Sequence, residues 1–533
     1  MSEFRLDLIN RYTKPHRKTL IKGALALIIV NILSVAIPIE VKNVIDELKD
    51  GFQLSDILNQ SILIIFLATS MGLVRLISRQ LVFGVGRQIE VDIRQKLFNN
   101  MLNQDPNWIQ EIGSGEVISR ATSDVENIRR LLGFTILSLT NTLLAYLFTL
   151  PAMLLIDPVM TVAAISLYPL MLGIVGLFGG RMAKQRKRQQ ESLSKLSDLI
   201  QEDLTGISSI KIYGQEFSES KAFSKLNNRY RDAAIRLART ASTLFPLLQG
   251  ISSISLLLLI SIGSRKLETG ALSIGELVAL ILYVERLVFP TALLGFTLNT
   301  FQIGQVSLER VEYLLRNKPK IKNINNPINL SKNILGKIEA RNLKFNYENN
   351  SKYILDDISF NINPGELVAI VGPVGCGKTT LARSMIRMID VKKGELFLDD
   401  LDIAYLSLHD LRKHISVVPQ EGYLFTCSLA DNIRYGKPEA SLREVEECAK
   451  QANLLDDIKG FPDGLNTLVG ERGITLSGGQ RQRTALSRAL IMDAPVLVLD
   501  DALASVDNKT ASGILKSIKN KRNKTIIMIS HQL

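Results

Sequence analysis

Cysteine, histidine and tryptophan are scarce in this chain, at 3, 4 and 1 among 533 residues. Cys376, Cys427 and Cys448 all fall in the C-terminal third. Three such thiols make no disulfide framework and suit a reducing cytosol. A cleavable secretory leader is also missing: residues 1–22 are polar and basic, with no small-residue cleavage site before a long apolar run. Acidic residues are outnumbered, 52 Asp and Glu against 64 Lys and Arg, leaving a formal charge of +12. Such a balance can signal nucleic-acid binding. Here the basic residues cluster beside apolar spans, so no nucleic-acid partner is expected. Aromatic residues make up only 6%.

What is abundant is apolar: 46% of the residues are hydrophobic and the mean hydropathy is +0.15. A helix that crosses a bilayer needs about 20 mostly apolar residues. Six runs qualify, at about 20–41, 57–83, 131–156, 159–180, 244–262 and 274–298. Lys and Arg mark the cytoplasmic side of such runs. Arg5, Arg11, Lys14, Arg17, Lys18 and Lys22 surround the start of the first, and Arg181, Lys184, Arg186, Lys187 and Arg188 follow the fourth. The loop after the first run is acidic instead, with Glu40, Asp46, Glu47 and Asp50. A multi-pass protein of the cell (inner) membrane is expected, with its N-terminus and C-terminal domain in the cytoplasm.

Two long charged connections, about 85–130 and 181–243, keep a helical period; Ile89, Ile93, Leu97 and Met101 recur every four residues. Residues 317–336 turn to Asn, Lys, Pro and Ser, a linker signal closed by Gly336. Beyond it, apolar runs alternate with helical patterns, as in an α/β domain. The expected division is a membrane domain over 1–316, a linker over 317–336 and a nucleotide-binding domain over 337–533.

The chemistry gathers in that last part. Gly372-Pro373-Val374-Gly375-Cys376-Gly377-Lys378-Thr379 is a full phosphate-binding loop, placed between the apolar Ile370-Val371 and a helical pattern from Thr380. Its glycines let backbone N–H groups face phosphates at a helix N-terminus. Lys378 should reach the β- and γ-phosphates, and the Thr379 hydroxyl should ligate Mg2+. Asp500 closes the apolar run Val496-Leu497-Val498-Leu499, where a carboxylate can hold Mg2+ through water. Leu476-Ser477-Gly478-Gly479-Gln480, read alone, is a glycine turn capped by Ser477. Ser530-His531 comes last.

In this order and spacing, the four pieces resemble the nucleotide-binding domain of ATP-binding-cassette (ABC) transporters. The resemblance covers essentially the whole chain, six spans and then one cassette, and looks like a bacterial half-transporter of the exporter type. It implies a polytopic α-helical membrane domain followed by an α/β P-loop NTPase cassette, with ATP and Mg2+ as cofactors and ATPase activity coupled to export. It also implies a dimer, in which Ser477, Gly478, Gly479 and Gln480 of one subunit meet the γ-phosphate of ATP held by the other. Gln420 matches the glutamine that senses Mg2+ and the attacking water. Tyr347 matches the aromatic that stacks on adenine, although alone it reads as a core residue. Asp507 and His531 match the aspartate loop and the switch histidine. Residues 469–473 resemble a loop that exporters carry before the glycine motif. The segments 115–120 and 205–211 resemble the coupling helices that press on the ATPase domains.

Two features depart from the pattern. After Asp500 the family usually has a glutamate as general base; here it is Asp501. One methylene less moves the carboxylate by about 1 Å, which can cost on the order of 10²-fold in rate. Asp500-Asp501-Ala502-Leu503 is similar to the less active subunit of heterodimeric multidrug-type exporters, so a heterodimer is favoured and a homodimer left open. The chain also stops at Leu533, two residues past His531. That end reads as C-terminal truncation of the cassette, with a sheet edge left uncovered.

Charged residues inside spans are costly and usually face a bundle interior or a water-filled path. Glu285 and Arg286 lie in the sixth run, Arg75 and Arg79 in the second. The expected cargo is a hydrophobic or amphipathic small molecule, lipid-like or drug-like, met in membrane lipid. The alternative is a regulatory subunit that binds ATP and hydrolyses it slowly.

Overall fold

The computed structural model describes residues 6–50, 54–330, 334–347, 353–470, 473, 475–506, 508–519 and 524–530. The chain divides into two compact units: Met1–Leu102 with Gly113–Asn317, and Asn103–Ile112 with Lys318–Leu533. In chain order the main helices are α1 (Arg17–Asp50), α2 (Leu54–Leu102), the short α3 (Pro106–Ile112), α4 (Ile136–Ile156), α5 (Tyr168–Thr205), α6 (Ile207–Tyr213), α7 (Glu216–Glu268) and α8 (Ile274–Arg316).

The first unit is helical. Among the described residues it has six helices long and apolar enough to cross a membrane, with mean hydropathy between 1.7 and 2.4 in their most apolar stretches. The charged connections are continuations of spans. Helix α2 runs 49 residues and α7 runs 53; at 1.5 Å per residue both far exceed a hydrocarbon core of about 30 Å. The third span is a continuous helical path over Ser114–Ile156 with two wide turns, Arg120–Asp124 and Leu131–Thr135.

Glycines set the closest crossings. A Cβ on Gly86 would stand 3.3 Å from Gly133 Cα, and one on Gly304 would stand 2.5 Å from Leu131 Cβ. Helices α2 and α8 therefore meet the Leu131–Thr135 turn at backbone distance, as small residues allow in membrane bundles. Outward-facing Leu155, Phe66 and Val162 are 87, 65 and 66% exposed. So broad an apolar surface suits lipid rather than water. The inner side is a packed cluster that includes Met153, Tyr168, Met171, Leu259, Tyr283 and Leu287.

Ion pairs stitch the ends of the long helices. Glu312 is 5% exposed; its carboxylate accepts from Arg11 Nη1 at 2.7 Å, Tyr12 hydroxyl at 2.8 Å and Arg316 Nε at 3.2 Å. Segment 115–120, expected as a coupling tip, belongs to this helical unit. There Glu116 Oε1 accepts from Arg120 Nε at 2.9 Å and Arg310 Nη2 at 2.6 Å.

The second unit is α/β. Its strands are β1 (Ile338–Phe345), β2 (Leu355–Ile362), β3 (Leu367–Val371), β4 (Leu396–Leu398), β5 (Leu401–Asp402), β6 (Ile415–Val418), β7 (Val496–Asp500) and β8 (Thr525–Ser530). One sheet, in the order β2-β1-β4-β5, is antiparallel; the other, β3-β8-β7-β6, is parallel. Strand β7 is buried along its whole length, as an apolar run inside a covered parallel sheet should be. Strand β3 stands at the edge, with Leu367 and Val371 44 and 48% exposed, whereas Ile370-Val371 reads in sequence as a buried strand end. Helices α9 (Lys378–Met385) and α10 (Gly478–Leu490) complete the elements used below. Gly336, with φ of 90°, makes the turn into β1, where an added Cβ would meet Thr525 and Val496 at 3.1 Å.

Candidate functional site

The parallel sheet decides where the site lies. Its strands run one way, so their carboxyl ends share one edge, where ligands of such sheets bind. Strand β3 leads there into the phosphate loop, β6 into Gln420 and β7 into Asp500 and Asp501.

The loop itself is shaped by two glycines, Gly375 and Gly377, with φ of 81° and 97°, values that L side chains rarely adopt. A Cβ on Gly377 would also stand 3.0 Å from the Ile354 carbonyl oxygen. Pro373, Val374, Gly375 and Cys376 are exposed, while Gly372 and Gly377 are half-buried. Lys378 is 7% exposed; its Nζ donates to the carbonyls of Gly372 at 2.7 Å and Pro373 at 2.9 Å. Its ammonium is thereby held against the loop it belongs to. Thr379 Oγ1 donates to Asp500 Oδ1 at 3.1 Å, and Asp500 is 4% exposed. Thr380 Oγ1 lies 3.5 Å from the Tyr347 hydroxyl.

Asp501 follows β7 in a left-handed turn, φ 49°, pinned by its N–H donating to the Ile529 carbonyl at 3.0 Å. Its Oδ2 faces Gln420 Nε2 at 3.5 Å. Lys378, Thr379, Asp500, Asp501 and Gln420 thus stand along one edge.

The glycine motif is built differently. Ser477 Oγ accepts from Gln480 N–H at 3.2 Å, and Gln480 Oε1 accepts from Ser477 N–H at 2.9 Å. This reciprocal cap starts α10. Gln480 Nε2 also donates to Asp457 at 3.0 Å. Ser477 and Gly478 remain exposed, and an added Cβ on Gly479 would press the Ser505 carbonyl at 3.0 Å. Two positions after Gln480, Gln482 ties α10 to both neighbouring segments: Oε1 accepts from Ser505 N–H at 3.1 Å, and Nε2 donates to the Gln420 carbonyl at 3.4 Å. His531, Asp507, Glu471 and Arg472 lie outside the described residues.

Two features escape a sequence reading. Arg488 of α10 donates to the carbonyls of Asn432 and Tyr423, each at 2.8 Å, and burial lowers its affinity for its proton. It clamps the segment after Gln420 to α10. The other is Trp108. Helix α3 belongs to the α/β unit, and a cavity of 540 Å³ there is lined by Trp108, Asp105, Lys320, Phe345, Tyr347 and Arg383, among others. Lys320 N–H donates to Asp105 Oδ2 at 3.0 Å. Phe345 meets Tyr347 edge to face, with centroids 5.0 Å apart. The available signal was the chain's one tryptophan, just after Pro106 at a helix start.

The chemistry of this edge fits a magnesium nucleotide. Among the described residues no cluster of three or more His, Cys, Asp or Glu could hold a metal alone. Mg2+ asks for less, one or two carboxylates with substrate phosphates and water. The Thr379 hydroxyl and Asp500 carboxylate are already side by side.

Both parts of the chain resemble known proteins. Residues 20–291 match the family model described as ABC transporter transmembrane region, and residues 355–504 match that described as ABC transporter. The chain is 34% identical over 516 residues to the multidrug resistance-like ATP-binding protein MdlA of Buchnera aphidicola subsp. Baizongia pistaciae, covering 95% of this chain and 88% of that protein. It is 28% identical to the ATP-dependent lipid A-core flippase 1 of Colwellia psychrerythraea, covering 98% and 88%. The solved structure of a bacterial Atm1-family ABC exporter with ATP bound shares the fold, with a TM-score of 0.78, 24% identity, and coverage of 97% of this chain and 92% of that one.

Proposed function

The chain belongs to the ABC transporter family, a multi-pass membrane protein that couples ATP hydrolysis to export, and from that premise we propose its finer working. It is one half of a dimer, paired with a second, different half-transporter. Residues 1–316 form the transport path, 317–336 the linker and 337–533 the cytoplasmic cassette. The basic N-terminal flank supports that orientation.

One observation carries the reading: Lys378, Thr379, Asp500, Asp501 and Gln420 share the carboxyl edge of one parallel sheet. On nucleotide binding, Lys378 exchanges the Gly372 and Pro373 carbonyls for phosphate oxygens. Gly372 to Thr380 cradle the phosphates with backbone N–H groups. Thr379, Asp500 and Gln420 hold Mg2+, and Tyr347 stacks on the base. The magnesium nucleotide supplies the phosphoanhydride bond and the cation that offsets its charge. Asp501 accepts the proton of the attacking water, with Gln420 orienting that water; His531, outside the described residues, matches the family's switch histidine in sequence alone. Ser477, Gly478, Gly479 and Gln480, exposed or half-buried at the start of α10, complete the partner's site.

The short Asp501 side chain makes this chain's own site the slower of two. It also favours the second reading, a regulatory subunit that binds ATP and contributes little hydrolysis. The cargo is hydrophobic or amphipathic; the lipid A-core flippase among the relatives supports that class. Two experiments test the proposal. Weighing the complex extracted from its own host should give two different half-transporters at one to one, and a dimer of this chain alone would refute the pairing. Lys378→Ala should abolish ATP-driven export; retained export would leave only the regulatory reading.

A further inference from the structure

The membrane helices contain a group of cations that the ATPase reading does not use. Arg286 of α8 donates from Nη2 to Asn31 Oδ1 of α1 at 3.2 Å. Asn31 is 1% exposed, and its Nδ2 donates to the Leu27 carbonyl at 2.9 Å and to Asn141 Oδ1 at 3.3 Å. Both amide hydrogens are thereby engaged, so the amide cannot turn and only its oxygen faces the guanidinium. Arg286 Nη1 is buried and has no hydrogen-bond partner. Nearby Tyr283 directs its hydroxyl elsewhere, donating to the Val35 carbonyl at 2.7 Å.

The surrounding charge has one sign. The cations that bear on Arg286 and Arg75 are Arg75 and Arg79, both of α2. Arg75 and Arg79 are four residues apart and so lie on one face of that helix. Among the described residues, no carboxylate stands within ion-pair distance of these three arginines. Glu285 is exposed, and as the preceding residue on a helix it points about 100° away from Arg286. Arg75 makes one weak hydrogen bond, to Met71 Sδ at 3.5 Å. Around it, Leu73, Leu76 and Ile77 are 59, 57 and 52% exposed.

Three cations at membrane depth without an acid are costly, and such residues mark a ligand path by default. Guanidinium forks match the geometry of phosphate and carboxylate. The apolar surface beside them suits an acyl or ring body. We propose that Arg79, Arg75 and Arg286 form a ladder that binds the anionic headgroup of an amphipathic cargo, with Asn31 as the residue that positions Arg286. This rests on the export reading and adds the charge of the cargo to it.

The test is native mass spectrometry of the complete transporter, titrated with phosphatidylglycerol or with phosphatidylcholine of the same acyl chains. The wild type should retain phosphatidylglycerol in preference. Arg286→Gln and Arg75→Gln should each weaken that preference by about tenfold, the loss of one charge-assisted contact. Arg75 is exposed and braces no neighbouring helix, so its variant keeps the test valid if Arg286→Gln fails to fold. Inorganic phosphate should not displace the lipid; equal competition would mean a soluble anion and overturn the amphipath. Equal retention of both lipids, or undiminished preference in both variants, would overturn the site and point to an acid from the dimer partner as the true counter-charge. ATP binding read on the same samples separates the two claims. Binding without lipid preference sinks only the anion ladder, whereas lipid preference without ATP binding sinks the cassette reading.

Discussion

Gln420 Nε2 lies 3.5 Å from Asp501 Oδ2, although 81 residues separate them in sequence. Strands β6 and β7 are parallel neighbours, paired from Ile415 with Val496 to Val418 with Leu499, and each residue follows the end of its strand. The residue proposed to orient water and the carboxylate proposed to deprotonate it are thus positioned by a single register. A carboxylate retracted by one methylene stays in the constellation but reaches less far from it.

Trp108 provides a built-in probe. It is the only tryptophan and lines the same cavity as Tyr347. Adding ATP should change its emission, and Tyr347→Ala should greatly reduce that response. An identical emission change in that variant would separate Trp108 from base binding.

Crossing glycines should be intolerant. In Gly304→Ala the new methyl would stand 2.5 Å from Leu131 Cβ, well inside contact distance. Overpacking of this kind costs about 1–3 kcal/mol, read as a lowered melting temperature of the detergent-solubilised protein. Gly113→Ala tests backbone conformation instead, because its φ is 85° and nothing lies within 4 Å of the added Cβ.

Acid should remove one specific cap. Glu444 accepts from Lys437 Nζ at 2.6 Å and from Ser441 N–H at 2.7 Å. The lysine, and after it the serine, lowers its pKa from 4.5 to about 2. A carboxyl whose folded value is depressed contributes fully above its unfolded value and loses that contribution as pH falls through the folded one. The stability gap between wild type and Glu444→Gln should therefore be largest above pH 4.5 and shrink toward about pH 2. Melting curves at pH 7 and pH 3 would check it.

Much of this molecule is written locally. The spans announce themselves because lipid asks for length and apolarity, and the phosphate loop because glycine spacing is the requirement itself. Even the reciprocal Ser477–Gln480 cap follows from the spelling of the motif. Long-range placement is not written so. Nothing in the seven residues of α3 reveals that they join the α/β unit. The charged connections keep the period of the spans, but only packing reveals that α2 continues unbroken to Leu102. Nor does an apolar Ile370-Val371 disclose that β3 takes the edge of its sheet. The Arg286–Asn31–Asn141 network crosses three helices; the charge of Arg286 inside a span stands out in sequence, but its two asparagine partners do not.

Asp501 is proposed as a working but foreshortened base. The most direct measurement is the ATP turnover of the intact complex in lipid, wild type against Asp501→Glu, with kcat and KM determined separately. Asp501→Glu should raise kcat, by up to about 10²-fold at this site, with KM for ATP unchanged. An unchanged kcat would contradict it, because the reach of that carboxylate would then not limit hydrolysis.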